Sequence, residues 1–376
     1  MKIEMVDLKG QYLHIKEEIE EAALSVMREA NYINGPDVSK FADELSNYLD
    51  GAFVIPCANG TDALQIAMMS LDLKPGDEVI VPSFTYVATA EVIGLLKLKP
   101  VMVDVNPDSF NILVDAIKDA ITPKTRAIVP VHLFGQCADM EPILALAKEK
   151  GLFVIEDTAQ AIGASYIFKD GKTKKAGTIG DIGCTSFFPS KNLGCYGDGG
   201  AIITTNPELA NKIRMIANHG QEKKYVHKCI GINSRLDTLQ AAILRIKLRH
   251  LDSYSLARSN AAEKYDNLLH GVDGLVIPNR QNNSTHVFHQ YTLKIIGGKR
   301  DALKKHLEQV GIPAMIYYPI PLNEQEAYKS IGEVAGSLSV TNNLCASVLS
   351  IPMHTELSDD QINFVTGTIL KFFKND

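Results

Sequence analysis

The sequence predicts an α/β fold: a large domain built on a mainly parallel sheet, followed by a smaller carboxyl-terminal α+β domain. Three observations predict it. Short apolar runs alternate with helical stretches through the first half of the chain. Glycine and proline punctuate the junctions between them. The 376 residues exceed what one core usually supports, since single cores stop growing near about 250 to 300 residues. The boundary falls between two ranges, 1–250 and 251–376.

The elements follow in order. Apolar positions recur at helical spacing over 13–30, and "YINGPDV" (32–38) reads as a turn before a second helix through about Leu49. Strands then occupy 53–56, 78–81, 101–105, 127–131 and 152–155, with helices over 61–71, 87–96, 114–121 and 140–150 between them. Such alternation lays strands side by side in parallel, because each return crossover needs a helix, and the helices cover both faces. "CTSFF" (184–188) and "AIITT" (201–205) add two strands around a glycine-rich loop. From Leu236 to about Leu269 neither proline nor glycine interrupts a helical stretch, which suits a spine between the domains. The remainder holds strand-like "YTLKII" (291–296), a helix from Asp301 to Val310 and a closing helix after Ser358.

Composition narrows the function. With 45% hydrophobic and 22% charged residues the chain is an ordinary globular protein, and its formal charge of -6 gives no basic footprint for nucleic acid. The six cysteines lack any CxxC pair and read as buried thiols in a reducing compartment, with no zinc or other metal. The amino terminus has no apolar core of signal-peptide length, and no stretch approaches about 18 uncharged apolar residues. The expectation is a cytoplasmic protein with no membrane partner.

Three stretches carry chemistry. "EDTAQAIGASY" (156–166) sets Glu156 and Asp157 directly behind an apolar run, and carboxylates at the carboxyl end of a parallel strand face a ligand crevice, here one that holds a cation. In "CANGTDALQIA" (57–67) a strand runs through Asn59-Gly60-Thr61 into a helix; Gly60 allows close approach, and the first free amides with the Thr61 hydroxyl suit a phosphate. An Asn or Thr cap alone also accounts for that pattern. In "SFFPSKNLGCYGDGGA" (186–201) Lys191 stands between a strand and a tightly turned loop. It is either a solvated loop lysine or a desolvated one, whose lowered pKa lets the neutral amine attack a carbonyl to form a Schiff base. Ser186 is placed to give the phosphate a second hydrogen bond.

Pyridoxal 5'-phosphate (PLP) unites the three. It needs a lysine for its aldehyde, a helix terminus with hydroxyls for its phosphate, and a carboxylate at its ring nitrogen so that the ring can take up the electrons of a carbanion. Asp157 is that carboxylate, Gln160 is within reach of the ring's 3-oxygen, and Tyr86 in "PSFTYVATA" (82–90) can stack over the ring face.

"NGTDAL", "PSFTYVATA", "EDTAQAIGA", "SFFPSKNLGCYGDGGA" and "GINSRLDTLQAAIL" resemble successive motifs of the nucleotide-sugar aminotransferases of the DegT/DnrJ/EryC1/StrS type, from "VDLKGQY" to "SIPMHTELSDDQI". The resemblance implies a PLP-dependent transferase of fold type I, acting as a homodimer with shared active sites. Position by position it implies Lys191 as the Schiff-base lysine and acid/base, Asp157 and Gln160 as ring partners, Gly60, Thr61 and Ser186 as phosphate contacts, and Tyr86 as the stacking residue. Asn233 resembles an asparagine that reaches the phosphate from the neighbouring subunit. Some relatives carry histidine in place of the lysine and are dehydrases; Lys191 points to transamination.

A narrower resemblance, in "YYPIPLNEQ" with Asn323 and in "NHGQEKKYVHKCIGINSRLDTLQAAIL", is to the branch that aminates C3 of a UDP-linked 3-keto-N-acetylhexosaminuronic acid with glutamate, for surface polysaccharide such as lipopolysaccharide. It implies Arg235 as partner of the uronate carboxylate, with an interface salt bridge as the competing role. Tyr32, Ser190, Tyr317 and Tyr318 resemble sugar-contacting positions, although histidine is familiar where Tyr317 stands. The alternatives are a dTDP-3-keto-6-deoxy or UDP-4-keto sugar as acceptor, a PLP-dependent lyase, and a regulator built on the same fold. A dinucleotide-binding dehydrogenase is disfavoured, because no GxGxxG follows the first strand.

Overall fold

The computed structural model describes residues 2–374. Helices α1 (Leu8–His14), α2 (Lys16–Glu29) and α3 (Pro36–Tyr48) lead into β1 (Phe53–Cys57). Then come α4 (Gly60–Ser70), β2 (Glu78–Pro82), α5 (Ala88–Leu95), β3 (Lys99–Val103), α6 (Val114–Ala120), β4 (Thr125–Ile128), α7 (Met140–Lys150) and β5 (Phe153–Asp157). A hairpin of β6 (Ser165–Ile167) and β7 (Thr173–Lys175) precedes β8 (Ile182–Ser186) and β9 (Gly200–Thr204). After α8 (Pro207–Ala217) a second hairpin, β10 (Gln221–Lys223) and β11 (Val226–His227), leads to α9 (Thr238–Arg249) and α10 (Leu251–Leu269). The chain closes with β12 (Leu275–Val276), β13 (Tyr291–Ile295), α11 (Arg300–Gln309), β14 (Glu333–Val334), α12 (Ser339–Ser347), β15 (Val348–Ile351) and α13 (Asp359–Lys374).

Local chemistry sets these boundaries. The Asp7 carboxylate accepts from the Gly10 amide at 2.7 Å and starts α1 earlier than the apolar spacing indicates. Asn206 caps α8 through the amides of Glu208 and Leu209, with Pro207 at the first helical position. Gly151 ends α7 in the left-handed region at φ 66°, where a side chain would be strained.

Among the described residues the large sheet has eight strands in the order β1-β9-β8-β5-β4-β2-β3-β14. It is mainly parallel, but β9 runs antiparallel to both β1 and β8, because the loop joining β8 to β9 contains no crossover helix. Side chains alternate between two buried faces. Val79 and Val81 of β2 pack with α4, α5 and α8, while Ile80 between them packs with α6 and α7. Ile202 of β9 joins the first cluster, and Ala201 and Ile203 pack with α3 and α9. Helices therefore cover both faces, and the crevice for a ligand lies where the strands end.

The expected single helix over 236–269 is two helices that turn at His250. Their halves bury into different clusters. Leu244 and Leu248 of α9 pack beside the large sheet, whereas Ala262, Tyr265 and Leu269 of α10 pack on a second sheet of order β12-β13-β15, with α11 and α13. Ile3 joins this second cluster from the amino end. In return, β14 pairs in parallel with β3 and completes the border of the large sheet.

Candidate active site

A cavity of about 800 Å³ lies at the carboxyl ends of the parallel strands, lined by residues that follow or end β1, β2, β4, β5 and β8. At one side stands the amino end of α4. Asn59 caps it, its Oδ1 accepting from the Asp62 amide at 2.8 Å. Among the described residues the amides of Gly60 and Thr61 have no partner, so the helix presents two free donors to the cavity. The cap and the anion cradle coexist. A Cβ on Gly60 would sit 2.7 Å from the Cβ of Ser186, and one on Gly200 would sit 2.4 Å from the Asn59 carbonyl. Glycine at both positions lets the α4 start, β8 and β9 converge.

Lys191 enters from the loop after β8. That loop folds on itself: the Lys191 amide donates to Phe188 O at 2.8 Å and the Cys195 amide to Phe187 O at 2.8 Å. Among the described residues no hydrogen bond or ion pair engages the Lys191 side chain, which lines the cavity. Burial pulls its pKa down to about 8, against the opposing pull of Asp157. This is the desolvated lysine, not a solvated one.

Glu156 and Asp157 are the last two residues of β5, so they point to opposite sides of the strand. Only Asp157 faces the cavity. Its Oδ2 accepts from Thr89 Oγ1 at 3.1 Å and its Oδ1 from the Ala159 amide at 3.1 Å. Burial pushes its carboxyl pKa up, and the Ala159 amide and Lys191 pull it back. Glu156 does not address a ligand. It lies behind the site and accepts from His132, Gly177, Ile179 and Gly180.

Gln160 is held at both ends: Oε1 accepts from the Phe134 amide at 2.8 Å and Nε2 donates to Tyr318 Oη at 3.1 Å. Tyr86 is 58% exposed at the mouth, with its ring centroid 6.3 Å from that of Tyr318. Ser186, Ser190 and Tyr317 also line the cavity. Tyr32, Asn233 and Arg235 do not. Tyr32 lies outside, 52% exposed, and Asn233 is exposed in a bridge with Asn218. One chain therefore brings ten of the residues singled out in the sequence to one cavity and leaves these three out of it, Arg235 half-buried and the other two exposed.

Sequence reasoning missed Thr89, Phe134 and His289. Thr89 lies in the first turn of α5, three residues after Tyr86 in a quoted motif, where a threonine also reads as an ordinary helix-start residue. Phe134 acts through its amide, with φ 57°, and its side-chain type gives no sign of this. His289 lines the cavity as a neutral imidazole, since burial and the charges of Lys191 and Arg258 hold its pKa well down. Five cysteines are buried as expected, but Cys229 is exposed. Among the described residues no helix is long and apolar enough to cross a membrane.

These residues fit PLP. An unpaired amine of lowered pKa, a buried carboxylate without a bonded cation and a glycine cradle at a helix start answer its aldehyde, ring nitrogen and phosphate in turn.

Comparisons with known proteins agree with that donor set. A profile described as the DegT/DnrJ/EryC1/StrS aminotransferase family matches residues 13–370. The UDP-2-acetamido-2-deoxy-3-oxo-D-glucuronate aminotransferase of Pseudomonas aeruginosa is 45% identical, over 98% of this chain and 99% of that one. A protein of Geobacillus stearothermophilus named a pleiotropic regulatory protein is also 45% identical, over 100% of both chains. A crystal structure of a DegT DnrJ EryC1 StrS aminotransferase from Brucella abortus superposes with a TM-score of 0.94 at 42% identity, over 99% of each chain.

Proposed function

The chain belongs to the DegT/DnrJ/EryC1/StrS aminotransferase family and its cofactor is PLP; from that premise we propose that it moves an amino group from glutamate to C3 of a UDP-linked 3-keto-N-acetylhexosaminuronic acid. The reaction would serve surface polysaccharide synthesis in the cytoplasm. The observation that carries amino transfer is Lys191, an amine without an ion pair that shares its cavity with Asp157.

PLP, when bound, supplies a protonated ring that takes up the electron pair left when a proton leaves the carbon next to the transferred nitrogen. The residues that would hold it are Lys191 at the aldehyde, Asp157 and Gln160 on the ring, Tyr86 over its face, and Gly60, Thr61 and Ser186 at the phosphate. Asp157, oriented by Thr89 and Ala159, would face the ring nitrogen and hold its proton. With a pKa near 8, Lys191 is a competent nucleophile and, once released, takes and returns a proton at Nζ. Donor and acceptor use one cavity in turn, so the kinetics are ping-pong.

We read the working form as a homodimer. Tyr225 and Ile230 are 82% and 87% exposed on the segment that also carries Asn233 and Arg235, and apolar tips of that kind seek a partner. The partner subunit would then supply Asn233 to the phosphate and Arg235 to the uronate carboxylate, with Tyr32, Ser190, Tyr317 and Tyr318 around the sugar.

Tyr317 favours a second reading, transfer to another nucleotide-linked keto sugar, because a phenol stands where histidine is familiar in the uronate branch. Similarity to a protein named as a regulator does not change the reading as an enzyme, since regulation needs neither Lys191 nor Asp157 in these states. The deciding experiment offers nucleotide-linked 3-keto and 4-keto sugars, generated in situ, with glutamate, and reads keto-to-amine exchange by mass. Exchange on the 4-keto sugars alone, or on none, overturns the proposal.

A further inference from the structure

The run 130–134 sends four hydrogen bonds into the end of β5 and the turn after it. The Asp157 amide donates to Pro130 O and the His132 amide to Asp157 O, each at 2.9 Å. The Phe134 amide donates to Gln160 Oε1 at 2.8 Å, and His132 Nε2 lies 2.9 Å from Glu156 Oε2. His132 and Glu156 are fully buried. The Ala138 amide donates to His132 Nδ1 at 3.1 Å, which makes Nδ1 an acceptor and leaves the ring hydrogen on Nε2, donated to Glu156. Glu156 accepts three more hydrogen bonds, from the amides of Gly177, Ile179 and Gly180 at 2.9, 2.7 and 2.6 Å. A carboxylate with four donors and no access to water is fixed in place, and each donor lost leaves buried charge less satisfied.

We propose that His132 is a positioning residue for the cofactor: by donating from Nε2 to Glu156 it fixes the backbone frame from which Asp157 and Gln160 meet the ring. The proposal rests on the reading that those two side chains address the ring. His132 itself does not line the cavity. Its action is through the strand end: the residue that binds Glu156 on one side of β5 also binds the main chain of Asp157, whose side chain faces the other. A shift of that frame moves the ring carboxylate and the 3-oxygen amide together.

The test titrates PLP into apo enzyme for the wild type, His132→Leu, His132→Gln and Asp157→Asn, reading visible absorbance and the visible circular dichroism per bound cofactor. Glutamine can extend an amide N–H toward Glu156; leucine cannot. His132→Leu is expected to raise the dissociation constant about tenfold and to reduce the dichroism, and His132→Gln to restore both to within about twofold. Wild-type affinity and dichroism in His132→Leu overturn the proposal. So does a His132→Gln enzyme as impaired as His132→Leu. If the leucine variant does not fold, His132→Asn takes its place, since asparagine keeps an acceptor for Ala138 but falls short of Glu156; equal behaviour of the Asn and Gln variants is then the overturning result. Unchanged binding in Asp157→Asn strikes the underlying reading, whereas an impaired Asp157→Asn beside a normal His132→Leu strikes this inference alone.

Discussion

Thr89 Oγ1 donates a 3.1 Å hydrogen bond to Oδ2 of Asp157, and the threonine is fully buried behind the carboxylate it holds. Thr89→Val keeps the shape and removes the donor. A hydrogen bond to a charged group contributes about 1.5 to 3 kcal/mol, so the PLP dissociation constant should rise by about tenfold or more, with the melting temperature of the apo enzyme shifted by a few degrees at most. Fluorescence titration of apo enzyme with PLP checks it; unchanged affinity would mean that Asp157 needs no such support.

Lys191→Ala should lower turnover by at least about a thousandfold while leaving the fold intact, because no other described residue bonds to its ammonium. Borohydride reduction of the PLP-loaded wild type followed by peptide mapping should label Lys191 and nothing else. A label on another lysine refutes the assignment.

The pKa of Lys191, lowered to about 8, sets a direction with pH. Below pH 8 the amine is protonated and cannot attack; above it the neutral form dominates. Covalent capture of PLP by apo enzyme should therefore accelerate from pH 6.5 to 8 and level off beyond, as stopped-flow absorbance will show. The same shift acts on stability. Between pH 8 and the ordinary lysine range the unfolded chain holds a proton that the folded chain has lost, so apo stability from this group rises with pH across that window. Lys191→Met should raise the apo melting temperature at pH 7, and its advantage should shrink toward pH 10.

Gly60→Ala places a Cβ where Ser186 stands at 2.7 Å. The α4 start and β8 must then part, and the phosphate cradle opens. The dissociation constant for PLP should rise about tenfold or more, while that for pyridoxal, which lacks the phosphate, should change less than twofold. Equal losses for both ligands would remove the phosphate from this corner.

Arg235→Gln tests the proposed acceptor. It should raise KM for the uronate substrate at least about tenfold, and leave KM for a keto sugar without the C6 carboxylate within twofold. Parallel increases for both would assign Arg235 to the subunit interface instead.

Much of the site was legible because its chemistry needs odd residues in apolar surroundings. A lysine in a tight glycine loop and acids closing a buried strand announce themselves against the alternation of strand and helix. What the sequence concealed has physical causes. Period-two alternation puts Glu156 and Asp157 on opposite sides of β5, yet side by side in the sequence they read as one acidic pair. The reversal of β9 follows from the helix-free loop after β8, but its place beside β1 depends on pairing with a strand far away along the chain. The turn at His250 follows from packing against two different clusters, with no glycine or proline to mark it. Phe134 contributes a main-chain amide, which every residue except proline carries. Tyr32, Asn233 and Arg235 lie outside this chain's cavity, because motif position along the sequence does not say which way the chain turns between motifs.

The pairing of β14 with β3 ties the last part of the polypeptide to the first. Without it, β3 would be an outermost strand with bare amides and carbonyls, a ready template for sticking to other molecules. A shortened product ending before Glu333 would still contain Lys191, Asp157 and the α4 cradle. It would nonetheless bare the border of the body that holds them and strip β15 and α13 from the second core, so the carboxyl-terminal segment both covers that border and completes the smaller sheet.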